Sequence, residues 1–183
     1  MPGMSETTGV SEPLFHSSAE IHVAAPPETV YEVISDLPRS GEWSPECEGG
    51  EWVAGEPARV GAVFEGKNSR SPDVVAWAPV VRGTWTTRAE VVAAEPGRTF
   101  RWAMLTKAGE RQDSVWGYDI RPADGGSVLT HHFRMGAPTE GIRSITSGMD
   151  EAEKRRFFRE WREKVAADLT TTLRRVKAVV EQQ

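Results

Sequence analysis

The sequence predicts an α+β fold in which an antiparallel sheet of seven strands is followed by a long C-terminal helix. Between Thr84 and Met135, large apolar side chains occupy every second position of successive short runs. A period of two is typical of strands that bury one face of a sheet. From Glu151 to Gln183, apolar side chains instead recur at steps of three and four residues, which is typical of an amphipathic helix.

The start of the chain is polar and aperiodic. Residues 1–18 mix Ser, Thr, Gly, Pro and Glu, and we expect a flexible segment ahead of a single domain at 19–183. Glu20–Ala24 is predicted to form the first strand. Two short helices follow it. One begins at Pro26-Pro27, because proline is tolerated in the first helical turn, and the other is predicted at Arg39–Trp43.

Six further strands are predicted before the long helix. They are Cys47–Val53, Ala62–Asn68, Trp85–Ala93, Phe100–Leu105, Val115–Arg121 and Ser127–Met135. In an antiparallel meander the connections alternate between the two ends of the sheet. At one end they are rich in turn residues, whereas two at the other end, Ser69–Gly83 and Ala137–Asp150, reach about fifteen residues. Ordinary connections have ~4–6 residues, so we expect the loop-rich end to form the mouth of a binding site.

Composition excludes several classes of function. The net charge of the chain is -5, and nucleic-acid binding requires a basic surface. No run approaches the ~18 apolar residues of a membrane span, so no membrane insertion is expected. Cys47 is the only cysteine, which favours a reducing, cytoplasmic location. No metal and no cofactor is expected, because the histidines lack metal-ligand spacing and no phosphate or dinucleotide motif is present.

Several local motifs resemble those of the START-like, or helix-grip, superfamily, and in particular its polyketide cyclase/dehydrase branch. They are APPETVYEVISD at 25–36, EWSPE at 42–46, GAVFEGKN at 61–68, EPGRTFRW at 95–102, WGYDI at 116–120 and GGSVLT at 125–130. The resemblance covers roughly residues 19–180. It implies a curved sheet wrapped around the C-terminal helix, with an apolar ligand held between them. The chain departs from the family pattern at the two long loops.

The inward face of the predicted sheet offers the candidate ligand contacts. Its large aromatic side chains can stack on a flat ligand or simply form a core. An amide and a carboxylate near the mouth are candidate polar contacts. The ligand-binding candidates on the sheet and helix are Asn68, Trp85, Thr87, Trp102, Met104, Asp113, Trp116, Phe133, Trp161 and Val165.

His131 and Tyr118 are the candidate catalytic pair. Alternation across the hairpin between the last two strands leaves two registers open, one placing Tyr118 opposite His131 and the other placing Trp116 there. A histidine with a pKa near ~6.5 can remove a proton beside a carbonyl group, and a tyrosine hydroxyl can return one. The alternative is a buried histidine that only completes the core.

Three hypotheses of function follow. The first is binding of a hydrophobic, aromatic or polyketide-like molecule, with catalysis of its cyclisation, aromatisation or dehydration. The second is a non-catalytic carrier or sensor of a lipid, quinone or similar metabolite. The third is a partner-binding module whose interior is filled by its own side chains. The expected partner is an apolar small molecule, and the protein is expected to be a monomer or homodimer.

Overall fold

The computed structural model describes residues 12–183, which form a curved, unclosed antiparallel sheet and a long C-terminal helix. The predicted α+β helix-grip architecture is confirmed, with two short helices between the first and second strands. The strand order is β1-β7-β6-β5-β4-β3-β2. The strands are β1 (Phe15–Val23), β2 (Cys47–Ala54), β3 (Val63–Arg70), β4 (Gly83–Glu95), β5 (Thr99–Leu105), β6 (Arg111–Ala123) and β7 (Gly126–Met135).

The helices are α1 (Pro27–Ile34), a 3-10 helix (Leu37–Glu42), α2 (Glu140–Thr146) and α3 (Glu151–Glu181). Helix α3 begins with a capping box, in which Asp150 accepts a hydrogen bond from the backbone of Glu153 and the Glu153 side chain accepts one from the backbone of Asp150. The apolar stripe of α3 is buried, chiefly against β1. Among residues 12–183, no helix is both long and apolar enough to cross a membrane.

Two features of the fold differ most from the sequence-based expectation, the start of β1 and a helix inside the last loop. Strand β1 begins at Phe15 rather than Glu20, so residues 15–18 belong to the sheet and not to a lead-in. Phe15 is buried opposite Met135 of β7; His16 and Ser18 occupy outward positions, whereas Ser17 lies on the inward face opposite Phe133. The remainder of the expected flexible segment, residues 1–11, lies outside the described residues.

The second difference is α2, which lies inside the long connection between β7 and α3. The Thr139 hydroxyl caps this helix by accepting a hydrogen bond from Ile142 N at 3.3 Å, and both Ile142 and Ile145 are buried. Only two apolar residues mark its buried side, so the sequence pattern is too short to indicate a helix.

The three connections at the loop-rich end contact one another, and Ala78 and Val80 of the β3–β4 loop share a buried cluster with Ile142 and Ile145 of α2. Glu140 at the start of α2 accepts a hydrogen bond from Lys107 N at 3.1 Å and donates its own N–H to Gln112 Oε1 at 2.8 Å. At the far edge of the sheet, the ladder between β2 and β3 is interrupted by register shifts at Cys47/Gly49 and at Trp52/Ala54. The loop-rich end is therefore tied together, whereas the β2 edge is irregular.

Candidate functional site

Strands β5, β6 and β7 carry a row of aromatic side chains on the inner face of the sheet. Trp102 lies opposite Trp116 on β6, and Trp116 lies opposite Phe133 on β7. The rings of Trp116 and Phe133 have centroids 4.1 Å apart. Trp102 and Trp116 are only partly buried although they lie in the middle of the sheet. The inner face therefore retains accessible aromatic surface.

Tyr118 and His131 form the centre of this row. The register between β6 and β7 places them directly opposite each other, which selects the first of the two registers that the sequence allows. Their rings stack with centroids 4.1 Å apart and planes inclined by 12°. Only 2% of Tyr118 and 5% of His131 is exposed.

The protonation of the pair follows from its surroundings. Burial lowers the pKa of His131 to about 4 and raises the pKa of Tyr118, so both side chains are neutral at pH 7. The Nδ1 atom of His131 lies 2.8 Å from Gly117 O. Because a carbonyl oxygen only accepts, Nδ1 carries the proton and Nε2 is a bare acceptor.

The outer polar atoms of the pair have no protein partner. Within residues 12–183, neither Nε2 of His131 nor the hydroxyl of Tyr118 makes a hydrogen bond, and neither atom is fully enclosed. Buried polar atoms in folded proteins are nearly always paired with protein, water or ligand. An acceptor and a donor thus reach the interior side by side, ready to bond a molecule that enters it.

Asn68 and Thr87 form a second polar pair on the inner face, on β3 and β4. Asn68 Nδ2 donates to Thr87 Oγ1 at 3.0 Å. Cys47 lies opposite Asn68 in the ladder between β2 and β3 and packs against the buried cluster that contains Tyr118. Burial raises the pKa of the Cys47 thiol, so it stays protonated at pH 7.

Trp85 and Trp161 each contact the guanidinium group of Arg70 with one face of the indole ring. The guanidinium carbon is 4.6 Å from the centroid of Trp85 and 5.0 Å from that of Trp161. Cation–π contacts of this kind are stronger where water is excluded. Two of the four tryptophans predicted to contact a ligand, Trp85 and Trp161, therefore contact a side chain of the protein itself.

Arg70 is also the centre of a buried ionic network that joins α3 to the sheet. Its Nε and Nη2 donate to the two carboxylate oxygens of Glu46 at 2.6 and 3.0 Å. Lys164 of α3 lies 2.7 Å from the same carboxylate and 2.5 Å from Asp168. Burial raises the pKa of Glu46, but the hydrogen bond from Arg70 and the charge of Lys164 outweigh it and hold that pKa below its usual value.

The remaining predicted contacts fall in different places. Met104 lies on β5 opposite Ala89 and is half-buried. Val165 of α3 is buried in a hydrophobic cluster with Phe133 and Leu169. Asp113 lies on the outer face of the sheet, where its Oδ1 accepts from Arg134 Nη1 at 2.9 Å. Asp113 is thus not placed with the aromatic row, because it precedes the inward-facing Ser114 by one residue.

The long loop between β3 and β4 packs against α3, and its Ala78 and Val80 are buried in the same cluster as Phe157 of that helix. Arg82 donates to four carbonyl groups of the loop, and Trp77 Nε1 donates to Glu160 of α3. A groove of about 390 Å³ lies between loop and helix, at the predicted mouth. Its lining residues are Asp73, Val74, Val75, Ala76, Trp77, Glu160, Glu163 and Lys164. None of the predicted site residues lines this groove.

Sequence reasoning missed Arg70, Glu46 and Lys164. Arg70 continues the inward positions of β3 after Phe64, Gly66 and Asn68, and this parity is a signal that could have found it. Glu46 and Lys164 carry no such signal, because their partners are brought together only by the packing of α3.

Comparison with known proteins identifies related chains. A family model described as "Polyketide cyclase / dehydrase and lipid transport" matches residues 15–181. The solution structure of a polyketide-cyclase-like protein from Corynebacterium glutamicum is 30% identical, with a TM-score of 0.56, and the match covers 92% of this chain and 94% of that one. No curated protein sequence matches this chain significantly.

Two more distant structures share the fold. The Zhui aromatase/cyclase from Streptomyces sp. R1128 is 20% identical, with a TM-score of 0.59, and 92% of this chain and 94% of that one are covered. The di-domain ARO/CYC StfQ of the steffimycin biosynthetic pathway is 18% identical, with a TM-score of 0.63; 91% of this chain and 50% of StfQ are covered. At these identities the likeness concerns the fold alone.

The buried Arg70–Glu46 ion pair is expected to stabilise the fold much more than the exposed Arg121–Glu20 pair. Arg70 is 8% exposed, and its removal leaves Glu46 half-buried with only Lys164 as a partner. We expect Arg70→Met to lower the free energy of unfolding by about 2–4 kcal/mol. The control is Arg121→Met, whose pair with Glu20 is about 60% exposed on both sides and is expected to contribute less than about 1 kcal/mol. Urea unfolding measures both, and equal losses would contradict the assignment.

The pKa of His131 predicts a pH dependence of stability. An unfolded histidine has a pKa of ~6.5, whereas folded His131 has a pKa of about 4. Between these values the unfolded chain binds a proton that the folded chain does not, so stability is complete above pH ~6.5 and falls as the pH drops. From pH 7 to pH 5, His131 should account for a loss of about 2 kcal/mol.

Urea unfolding of the wild type and of His131→Gln at pH 7 and pH 5 tests this expectation. The pKa of the neighbouring His132 is also lowered by burial, so part of the loss should persist in the variant. The difference between the two proteins isolates His131. If both lose the same free energy between the two pH values, His131 is not buried in its neutral form.

Proposed function

This chain belongs to the polyketide cyclase/dehydrase and lipid transport family, and from this membership we propose that it binds an aromatic or polyketide-like molecule between its sheet and α3. The family match spans 15–181, which includes the whole sheet and all of α3. Ligands of such folds are mainly apolar, with a few placed polar contacts. The inner face of the sheet likewise combines apolar aromatic side chains with a few polar ones.

The observation that carries the proposal is the Tyr118–His131 pair. Both side chains are at least nine-tenths buried, both are neutral at pH 7, and both present polar atoms that the described protein does not bond. Around them, Trp102 and Trp116 offer partly exposed aromatic faces. A flat molecule bearing oxygen atoms would satisfy the orphan atoms and cover the exposed rings.

In a catalytic form, the pair would assist cyclisation, aromatisation or dehydration of the bound molecule. The Tyr118 hydroxyl would bond a carbonyl oxygen, and Nε2 of His131 would accept a proton from the adjacent position. The aromatic walls would hold the chain in a productive conformation and exclude water. Two structures with the same fold are named as aromatase/cyclases, which is consistent with this chemistry.

A non-catalytic carrier is the second candidate, and the basicity of His131 favours it. A base whose conjugate acid has a pKa of about 4 removes protons weakly from carbon acids at neutral pH. The same atom remains a good hydrogen-bond acceptor. Binding is thus supported more directly than turnover.

A fluorescence titration with N-phenyl-1-naphthylamine tests the binding proposal. This neutral aromatic probe brightens in apolar surroundings, and we expect saturable binding at one site per chain. Replacing both Trp102 and Trp116 with Ala should weaken binding at least ~10-fold, because the probe loses its stacking surface. Trp52→Phe is the matched control. Trp52 packs on Phe64 of β3, away from the Tyr118–His131 pair, so this substitution should change the affinity little.

Absence of saturable binding would contradict the proposal and favour an interior filled by the protein itself. Native mass spectrometry of the purified chain adds an independent measurement, because a co-purified molecule appears as a discrete mass increment. To separate the enzyme from the carrier, His131→Ala is assayed with whichever molecule is identified. Loss of turnover at unchanged affinity supports the enzyme, and binding without any turnover in the wild type supports the carrier.

A further inference from the structure

We propose that the Tyr118–His131 pair selects aromatic ligands that carry both a hydroxyl and a carbonyl group on the same side of one ring. This inference rests on the proposed function and specifies the ligand class of the same site. It follows from the fixed direction of two hydrogen bonds, one offered by each side chain.

His131 can only accept at its free atom. Its Nδ1 lies 2.8 Å from the oxygen of Gly117, which holds the proton on that nitrogen. The bare Nε2 therefore seeks a hydrogen, and an alcohol or phenol supplies one. A carbonyl or ether oxygen placed there would face a lone pair and be repelled.

Tyr118 supplies the complementary group. No acceptor within residues 12–183 takes its hydroxyl hydrogen, so the donor capacity is free for a carbonyl oxygen of the ligand. The burial that raises its pKa keeps the hydroxyl protonated at any physiological pH.

The geometry places the two groups on one ligand ring. The Tyr118 and His131 rings are stacked 4.1 Å apart and nearly parallel, so the hydroxyl and Nε2 reach the interior from adjacent strands. Two oxygen atoms on one ring can reach two polar atoms of neighbouring side chains, whereas groups at opposite ends of a long ligand cannot. A hydroxyl ortho to a ketone bonds that ketone internally and offers its hydrogen less readily, so the meta arrangement fits best.

Four naphthalenes test the inference by isothermal titration calorimetry. They are 1-naphthol, 2-acetylnaphthalene, 3-acetyl-1-naphthol and the methyl ether of the last compound. The wild type should bind 3-acetyl-1-naphthol about fivefold or more tighter than either single-function compound, because each net hydrogen bond contributes about that factor. The methyl ether keeps the oxygen but lacks the hydrogen, and it should bind no better than 2-acetylnaphthalene.

Two variants assign the bonds. Tyr118→Phe should weaken the three ketones several-fold and leave 1-naphthol unchanged. His131→Phe should weaken the two free hydroxyl compounds and leave the two ketones without a hydroxyl unchanged. Near-ultraviolet circular dichroism confirms that each variant is folded, and if His131→Phe fails to fold, the wild-type ligand series and Tyr118→Phe still decide the question.

The outcomes separate this inference from the function beneath it. If the naphthalenes bind but their order of affinity is the same in all three proteins, the pair does not recognise the hydroxyl and carbonyl groups. The inference then fails, and the proposed function stands. If 3-acetyl-1-naphthol binds no tighter than the single-function compounds, it fails in the same way. If none of the compounds binds and N-phenyl-1-naphthylamine does not bind, the proposed function fails with it.

Discussion

The register between β6 and β7 is the constraint on which the candidate site depends. It sets Tyr118 opposite His131 and Trp116 opposite Phe133, with all four on the inner face. A shift of one residue would exchange every side chain of one strand with its neighbours. On β7, Arg134 and His132 would then turn inward, and burying an unpaired guanidinium group is costly. The charged side chains on the outer face therefore help to fix the register that places the aromatic rings on the inner face.

The same alternation explains how much the sequence could predict. The strands, the long helix and the inward positions of β5–β7 follow from periodicity, which acts over neighbouring residues and is visible in the chain. Even the Tyr118–His131 pairing is one of two registers that this rule permits. The beginning of β1 does not follow from this rule, because the polar Ser17 lies on its apolar face between Phe15 and Ala19, and only pairing with β7 gives these residues a sheet conformation.

The part of the site that could not be predicted consists of contacts between distant segments. Trp85 and Trp161 lie 76 positions apart in sequence, and nothing in their local pattern indicates that Arg70 contacts both. The outward position of Asp113, by contrast, follows from strand alternation, because Asp113 precedes the inward-facing Ser114 by one residue. Buried charges pair through tertiary packing, which acts after the local pattern has been satisfied.

The irregular ladder between β2 and β3 has a consequence for behaviour in solution. An unclosed sheet has two edge strands, here β1 and β2, whose free backbone groups can pair with strands of other molecules. Two register shifts interrupt β2, and bulged strands offer a poor template for such pairing. On β1, the side chains of His16, Ser18, Glu20 and His22 point outward and keep that edge polar. The irregular backbone of β2 and the polar side chains of β1 thus protect the open sheet against edge-to-edge aggregation.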